Sequence, residues 1–290
     1  MREQGHRAAG RFRRRMGVWA PLVFVCVAGC GYELYEQRLE NTKILFAHMD
    51  LLNQHLQGAW EDGGTGISLR VPMQFTLLAP PAKTPAAPDK KAAPADGQEA
   101  DESDEDETEE ILDDRQPKYM NVFLPGLRGA FQAGLKIATE TNTLVDGDGY
   151  LYVMTNHELA EEPEEAKKFY SEFVRSLGDA VHESVDESTE STEKFPTKPG
   201  TFVKPISYRY QRFAPNSDLG GLRREFRLYL YEQGDVQVLV LFVLPEDVDS
   251  SERMTERIPL CLETLTVGGN RLVRPGTGPA AGGGVPGQGF

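Results

Sequence analysis

Cysteine is scarce in this chain. Of 290 residues only Cys26, Cys30 and Cys261 are cysteines, too few for the disulfide framework that staples small exported domains. Histidine is scarce too, with His6, His48, His55, His157 and His182. That leaves few groups whose ordinary pKa suits acid–base work near neutral pH. Long apolar runs are also missing. The longest, residues 18–29, holds about twelve residues, where a membrane-spanning helix needs about twenty. No G-x-S-x-G, phosphate-binding loop or dinucleotide fingerprint occurs, so the common signatures of serine hydrolases, nucleoside triphosphatases and Rossmann enzymes are absent.

Basic charge is confined to the start. The chain carries a net charge of −14. Residues 1–29 hold six arginines and one acid, Glu3, so everything after them is more acidic still. Such a chain has no electrostatic reason to bind nucleic acid or anionic lipid headgroups.

The first thirty residues have three parts: a basic stretch ending at Arg15, the short apolar run, and Cys30. That order fits an export signal. Val27-Ala28-Gly29-Cys30 resembles the lipobox of bacterial lipoproteins. The resemblance implies a thioether lipid on Cys30 and cleavage on its N-terminal side, where Ala28 and Gly29 are small enough for the peptidase. Phe24 and Val25 make Cys26 a poor rival. The expectation is a protein held to a cell-envelope membrane by lipid on Cys30. By resemblance to enteric lipoproteins, in which an aspartate at this place implies retention, Gly31 favours the outer membrane if the cell has one. Cys261 would then be the one cysteine left without lipid, a small buried hydrophobe by its setting between Leu260 and Leu262.

Residues 30–58 read as the lipidated N-terminus and a helix over 32–57. Leu45, Met49, Leu52 and Leu56 form one apolar stripe, and Tyr35, Leu39 and Phe46 a neighbouring one. Residues 59–267 read as one α+β domain, interrupted by an insertion at 79–118. From Asp96 to Asp114 this insertion has twelve acids and no base, a composition that cannot offset the entropy of ordering. It reads as a solvated spacer, with cation collection or partner docking as the alternatives. Residues 268–290 form a Gly/Pro-rich tail.

Within the domain, strands are expected at Ile67–Val71 in the stretch 66–78 (closed by Pro72), at 135–138 and at 150–154. A helix starts at Pro163 and stops at Gly178, and 183–200 is a loop. Strands follow at 206–213, 224–232 and 236–244. The last is apolar on both faces, so it must be covered on both. Gly234-Asp235 marks a hairpin. A final helix begins near Asp249 and is kinked or split by Pro259 before Thr266. This order predicts a mainly antiparallel sheet with helices on both faces. The Val-Pro-x-x-Phe strand end, the late hairpin and the closing helix resemble the PsbP-like α/β/α sandwich. That resemblance implies partner binding or stabilisation, and no family active site to carry over.

Candidate metal and catalytic sets fail on spacing. His157-Glu158-Leu159-Ala160-Glu161 and His182-Glu183-Ser184-Val185-Asp186 each lack the second histidine of a zinc protease helix. His48 and His55 are seven residues apart, roughly 10 Å along a helix, too far for one ion. Asp146-Gly147-Asp148-Gly149 would place Leu144 and Thr155 where a calcium loop needs carboxylates, and reads as a tight turn. No catalytic residue, metal or cofactor is expected. The reading is a non-catalytic binding or assembly component with an unidentified envelope protein partner. The alternative is a hydrolase-like envelope enzyme built from dispersed residues. Acids, His or Ser gathered in one concave site would favour it.

Overall fold

The computed structural model describes residues 32–80, 114–139, 141, 143–183, 190–197 and 204–268. The export signal, including Val27, Ala28, Gly29 and Cys30, lies outside them, as do most of the acidic insertion and the tail. The chain divides into two compact units, residues 1–54 and 55–290.

The first unit contains helix α1, Tyr32–His55. It stops two residues earlier than the periodicity suggests. Leu56 and Gln57 belong instead to strand β1, Leu56–Asp62, and the Gln57 side-chain amide donates to the backbone carbonyls of Pro72 and Met73.

The second unit is α+β, and every strand pairing is antiparallel. Strand β2, Ile67–Pro72, lies between β1 and the short β10, Thr266–Val267, in a three-stranded sheet. The larger sheet has seven strands. They are β3 (Thr76–Leu77), β4 (Leu127–Ala138), β5 (Leu144–Thr155), β6 (Ser191–Phe195), β7 (Ile206–Phe213), β8 (Arg224–Gln233) and β9 (Val236–Pro245), in the spatial order β3-β4-β5-β9-β8-β7-β6. Helix α2, Pro163–Val181, connects β5 to β6 at the far edge, and the chain meanders back to set β9 beside β5.

Side-chain periodicity explains this packing. Proline opens α2, and Glu164 and Glu165 sit in its positive first turn. Phe169, Phe173, Val174 and Leu177 recur at helical spacing and are buried against Tyr152, Leu228 and Leu241 of the sheet. The opposite face of the same strands presents Val153, Val240 and Phe242. Phe242 meets Phe75 and Tyr229 edge-on, at 6.4 and 6.2 Å between ring centroids. Trp60 of β1 meets Phe131 of β4 at 5.7 Å, which brings the small sheet to this face. Leu239 and Val240 point oppositely, and both have no exposed surface. A strand apolar on both faces is thus buried on both.

Several expectations need correction. Gly178 does not stop α2. It is buried inside the helix, and the end comes at Val181, where His182 takes a left-handed φ of 56°. The stretch 183–200 is not all loop, because β6 lies inside it. Its sequence, Ser-Thr-Glu-Lys-Phe, has no apolar alternation to announce a strand. The last helix is broken before Pro259, not at it. A 3-10 turn at Ser250–Glu252 ends on Arg253 with φ 52°, and α3, Met254–Leu262, follows with Pro259 inside. The described residues resume at Asp114, and the Tyr152 hydroxyl donates to the Arg115 carbonyl at 3.3 Å. The hairpin is as expected: Gln233 pairs with Val236, and Gly234 supplies the positive φ, 62°.

Candidate functional site

The sheet carries its polar chemistry at the β6-β7-β8 end. On the α2 side, Arg209 of β7 directs its guanidinium at Glu190, just before β6. Nε and Nη2 donate to the two carboxylate oxygens at 2.7 and 2.8 Å. The Tyr170 ring of α2 lies 4.5 Å from the guanidinium carbon, and its hydroxyl donates to Glu190 at 3.2 Å. These groups line a cleft of about 590 Å³ with Ser171, Val174 and Gln211. The arginine hydrogen bonds hold the Glu190 carboxyl below its usual range, against the pull of partial burial. Burial raises the Tyr170 phenol. The Ser171 hydroxyl donates to the Lys168 carbonyl at 2.9 Å.

The chemistry of this cleft is limited. A carboxylate below its usual pKa and committed to a two-pronged arginine is a weak proton acceptor. Among the described residues no histidine lines the cleft. Its lining holds an arginine neutralised by Glu190 and stacked on a tyrosine, the exposed Arg175, and Val174 as the apolar wall.

A second cluster occupies the other face. Glu225 is 4% exposed and accepts from Arg212 at 3.0 Å and from Arg227. Tyr229 and Tyr210 stack beside it at 4.8 Å. Arg224, also 4% exposed but on the α2 face with Phe226 and Leu228, donates to the carbonyls of Leu219 and Asp148 at 2.9 and 2.6 Å and stacks on the Tyr119 ring. It ties β8 to β5 and to the segment before β4. Asn156 does similar work after β5. It is 1% exposed, donates to the Asp235 carbonyl at 2.9 Å and accepts from the Gln237 amide at 2.9 Å, bracing the hairpin.

The residues singled out from sequence do not converge. His157 lies in a 3-10 turn and His182 caps α2. Among the described residues no three of His, Cys, Asp and Glu are grouped to hold a metal ion. His55 is 1% exposed, and burial, then Arg253 and Arg257, lower its pKa. Asp146 to Gly149 form no turn. They lie within β5, and Gly147 is required by packing: a Cβ there would sit 2.2 Å from the Ile137 side chain. Cys261 is fully buried, and burial raises its thiol far above the ordinary value. Burial also pushes Glu263 up to about 7. Sequence reasoning missed Glu190, Arg209, Arg224 and Glu225. The available signal was arginine inside strands otherwise rich in tyrosine and leucine.

No protein-family model matches this chain, and no curated protein does. A crystal structure of a protein from Bacteroides thetaiotaomicron VPI-5482 superposes with a TM-score of 0.32 at 11% identity. The alignment covers 73% of this chain and 48% of the other, so this chain spans about half of that protein's length. A similarity of that size carries no argument about fold or function.

Proposed function

We propose that this is a lipid-anchored cell-envelope protein, tethered through Cys30, whose domain works by binding or assembly and not by turnover. The observation that carries the anchor is the run Val27-Ala28-Gly29-Cys30 behind a basic stretch and an apolar run too short to span a bilayer. No helix among the described residues is long and apolar enough to cross a membrane, so that lipid would supply the attachment. Binding is supported by the state of the polar groups. Glu190 and Glu225 are each committed to arginines, and Ser171 is engaged within its own helix. The runner-up, a hydrolase-like envelope enzyme, is favoured only by the presence of Ser171 and Glu190 in one cleft. The unidentified partner is a protein of the envelope, and in a cell with two membranes the outer one is the favoured site. We extend the reading to a PsbP-like layering with helices on both sheet faces. It is supported by α2 on one face and by the Tyr208 hydroxyl on the other, which donates to the Leu262 carbonyl of α3 at 2.6 Å.

The test is substitution of Cys30 by Ala, followed by fatty-acid labelling and detergent partition. The variant is expected to lose the label. Unchanged labelling and partition would overturn the anchor.

A further inference from the structure

Among the described residues His55 is the only buried histidine, with 1% of its surface exposed. It ends α1 and leads into β1, and its carbonyl accepts from the Met73 amide at 3.1 Å. Its Nδ1 is buried and has no hydrogen-bond partner among the described residues. A neutral imidazole can leave one ring nitrogen without a proton, whereas an imidazolium carries an N–H at both. Protonated in place, His55 would hold an unpartnered N–H as well as a buried charge. The charges around it do not welcome a further cation. Arg253 and Arg257 lie one turn apart at the start of α3, and both oppose a proton on His55. Glu256 favours one, but its carboxylate is paired with Arg253 at 2.5 Å. Glu252, in the turn before α3, accepts from the Gln74 side chain at 2.9 Å and from the Lys136 amide at 3.0 Å. The one charged residue of β2, Arg70, donates to the Gln57 carbonyl at 2.8 Å. The acids of β1, Glu61 and Asp62, are at its far end, and the nearest charge on α1 is Asp50, five residues back. The negative end of α1 favours a cation, yet burial and the two arginines outweigh it and lower the pKa of His55.

We propose that His55 is a proton-sensitive latch. Neutral, it closes the contact between β1 and the start of α3. Taking up a proton, it opens that contact while the large sheet stays intact, as local opening permits. An ordinary histidine takes up its proton near pH 6.5, and this one resists until the pH is lower. The latch is therefore shut above pH 6.5 and opens progressively as the pH falls below it. The Glu263 carboxyl, at the other end of α3, is raised by burial and acts on stability in the opposite sense. The latch is accordingly read from local exchange and from the ring of His55, not from a melting temperature.

The test is amide hydrogen exchange of the full chain at pH 8 and pH 5, each rate divided by that of unstructured chain at the same pH. The reporters are the Met73 amide, which donates to the His55 carbonyl, and the Glu256 and Arg257 amides, which donate to the Arg253 carbonyl. Their protection is expected to fall several-fold at pH 5, while that of Val240 and Leu241 in the centre of the large sheet stays unchanged. His55→Gln should show the same protection at both pH values, and His157→Gln should behave as the unsubstituted chain. Acid opening that persists in folded His55→Gln would overturn the latch. Should His55→Gln fail to fold, Arg257→Gln serves in its place. Removing that cation should raise the pKa of the His55 ring, followed by its NMR signal, and move the midpoint of opening to higher pH. A His55 ring that titrates at 6.5 or above in the unsubstituted chain would overturn the latch whatever the variants do.

Discussion

Strand β9 and helix α1 are both rich in apolar residues, and the protein treats them in opposite ways. From Val238 to Leu244 every side chain of β9 is buried. Along α1, Leu34, Tyr35, Phe46 and Met49 stay exposed. The difference is one of partners, not composition. The strand has α2 on one side and Phe75 with the tyrosines of β7 and β8 on the other. The helix keeps these side chains exposed, and Ile44 and Leu51 with them. The contrast teaches that apolar content reports a demand for cover, and that only topology reveals whether the chain meets that demand itself.

The contrast breaks most easily in the strand. Leu239→Ala and Val240→Ala should each destabilise the domain by on the order of 2 kcal/mol or more, through lost transfer energy and an unfilled cavity. Denaturant unfolding measures both. If one variant were tolerated, that face of β9 would be open.

A smaller effect sharpens the comparison inside the domain. Glu263 is a carboxyl partly withdrawn from water, with its pKa raised from 4.5 to about 7. Between those values the folded protein holds a proton that the unfolded chain has released. Stability therefore falls as pH rises from about 4.5 through 7, by ~1 kcal/mol once solvent screening is allowed for. Glu263→Gln should flatten the melting temperature between pH 5 and pH 8. An unchanged slope would place the titration elsewhere.

The smallest effect belongs to α1. Leu39→Ser and Phe46→Ser should change the stability of the isolated protein by no more than about 0.5 kcal/mol, as exposed substitutions do. A loss as large as that of Leu239→Ala would show that the chain covers this helix itself.

What was legible in the sequence follows the same logic. The periods of α2 and β9 could be read because each residue's direction repeats with the element, and burial follows direction. The hairpin at Gly234 was legible because a two-residue turn needs a particular glycine. Strand β6 was not, since its edge position lets it be polar. The role of Gly147 was missed because its constraint comes from Ile137, ten residues away and across a strand pair. The Arg209–Glu190 pair was invisible for a related reason: an ion pair between strand and connection has no fixed spacing.

The central claim is the anchor, and the intact mass of protein extracted from membranes tests it most directly. The account predicts a chain beginning at Cys30, lacking residues 1–29, heavier than its sequence by a lipid whose attachment maps to that cysteine. A chain that retains Met1, or begins elsewhere, or carries an unmodified Cys30, would contradict it.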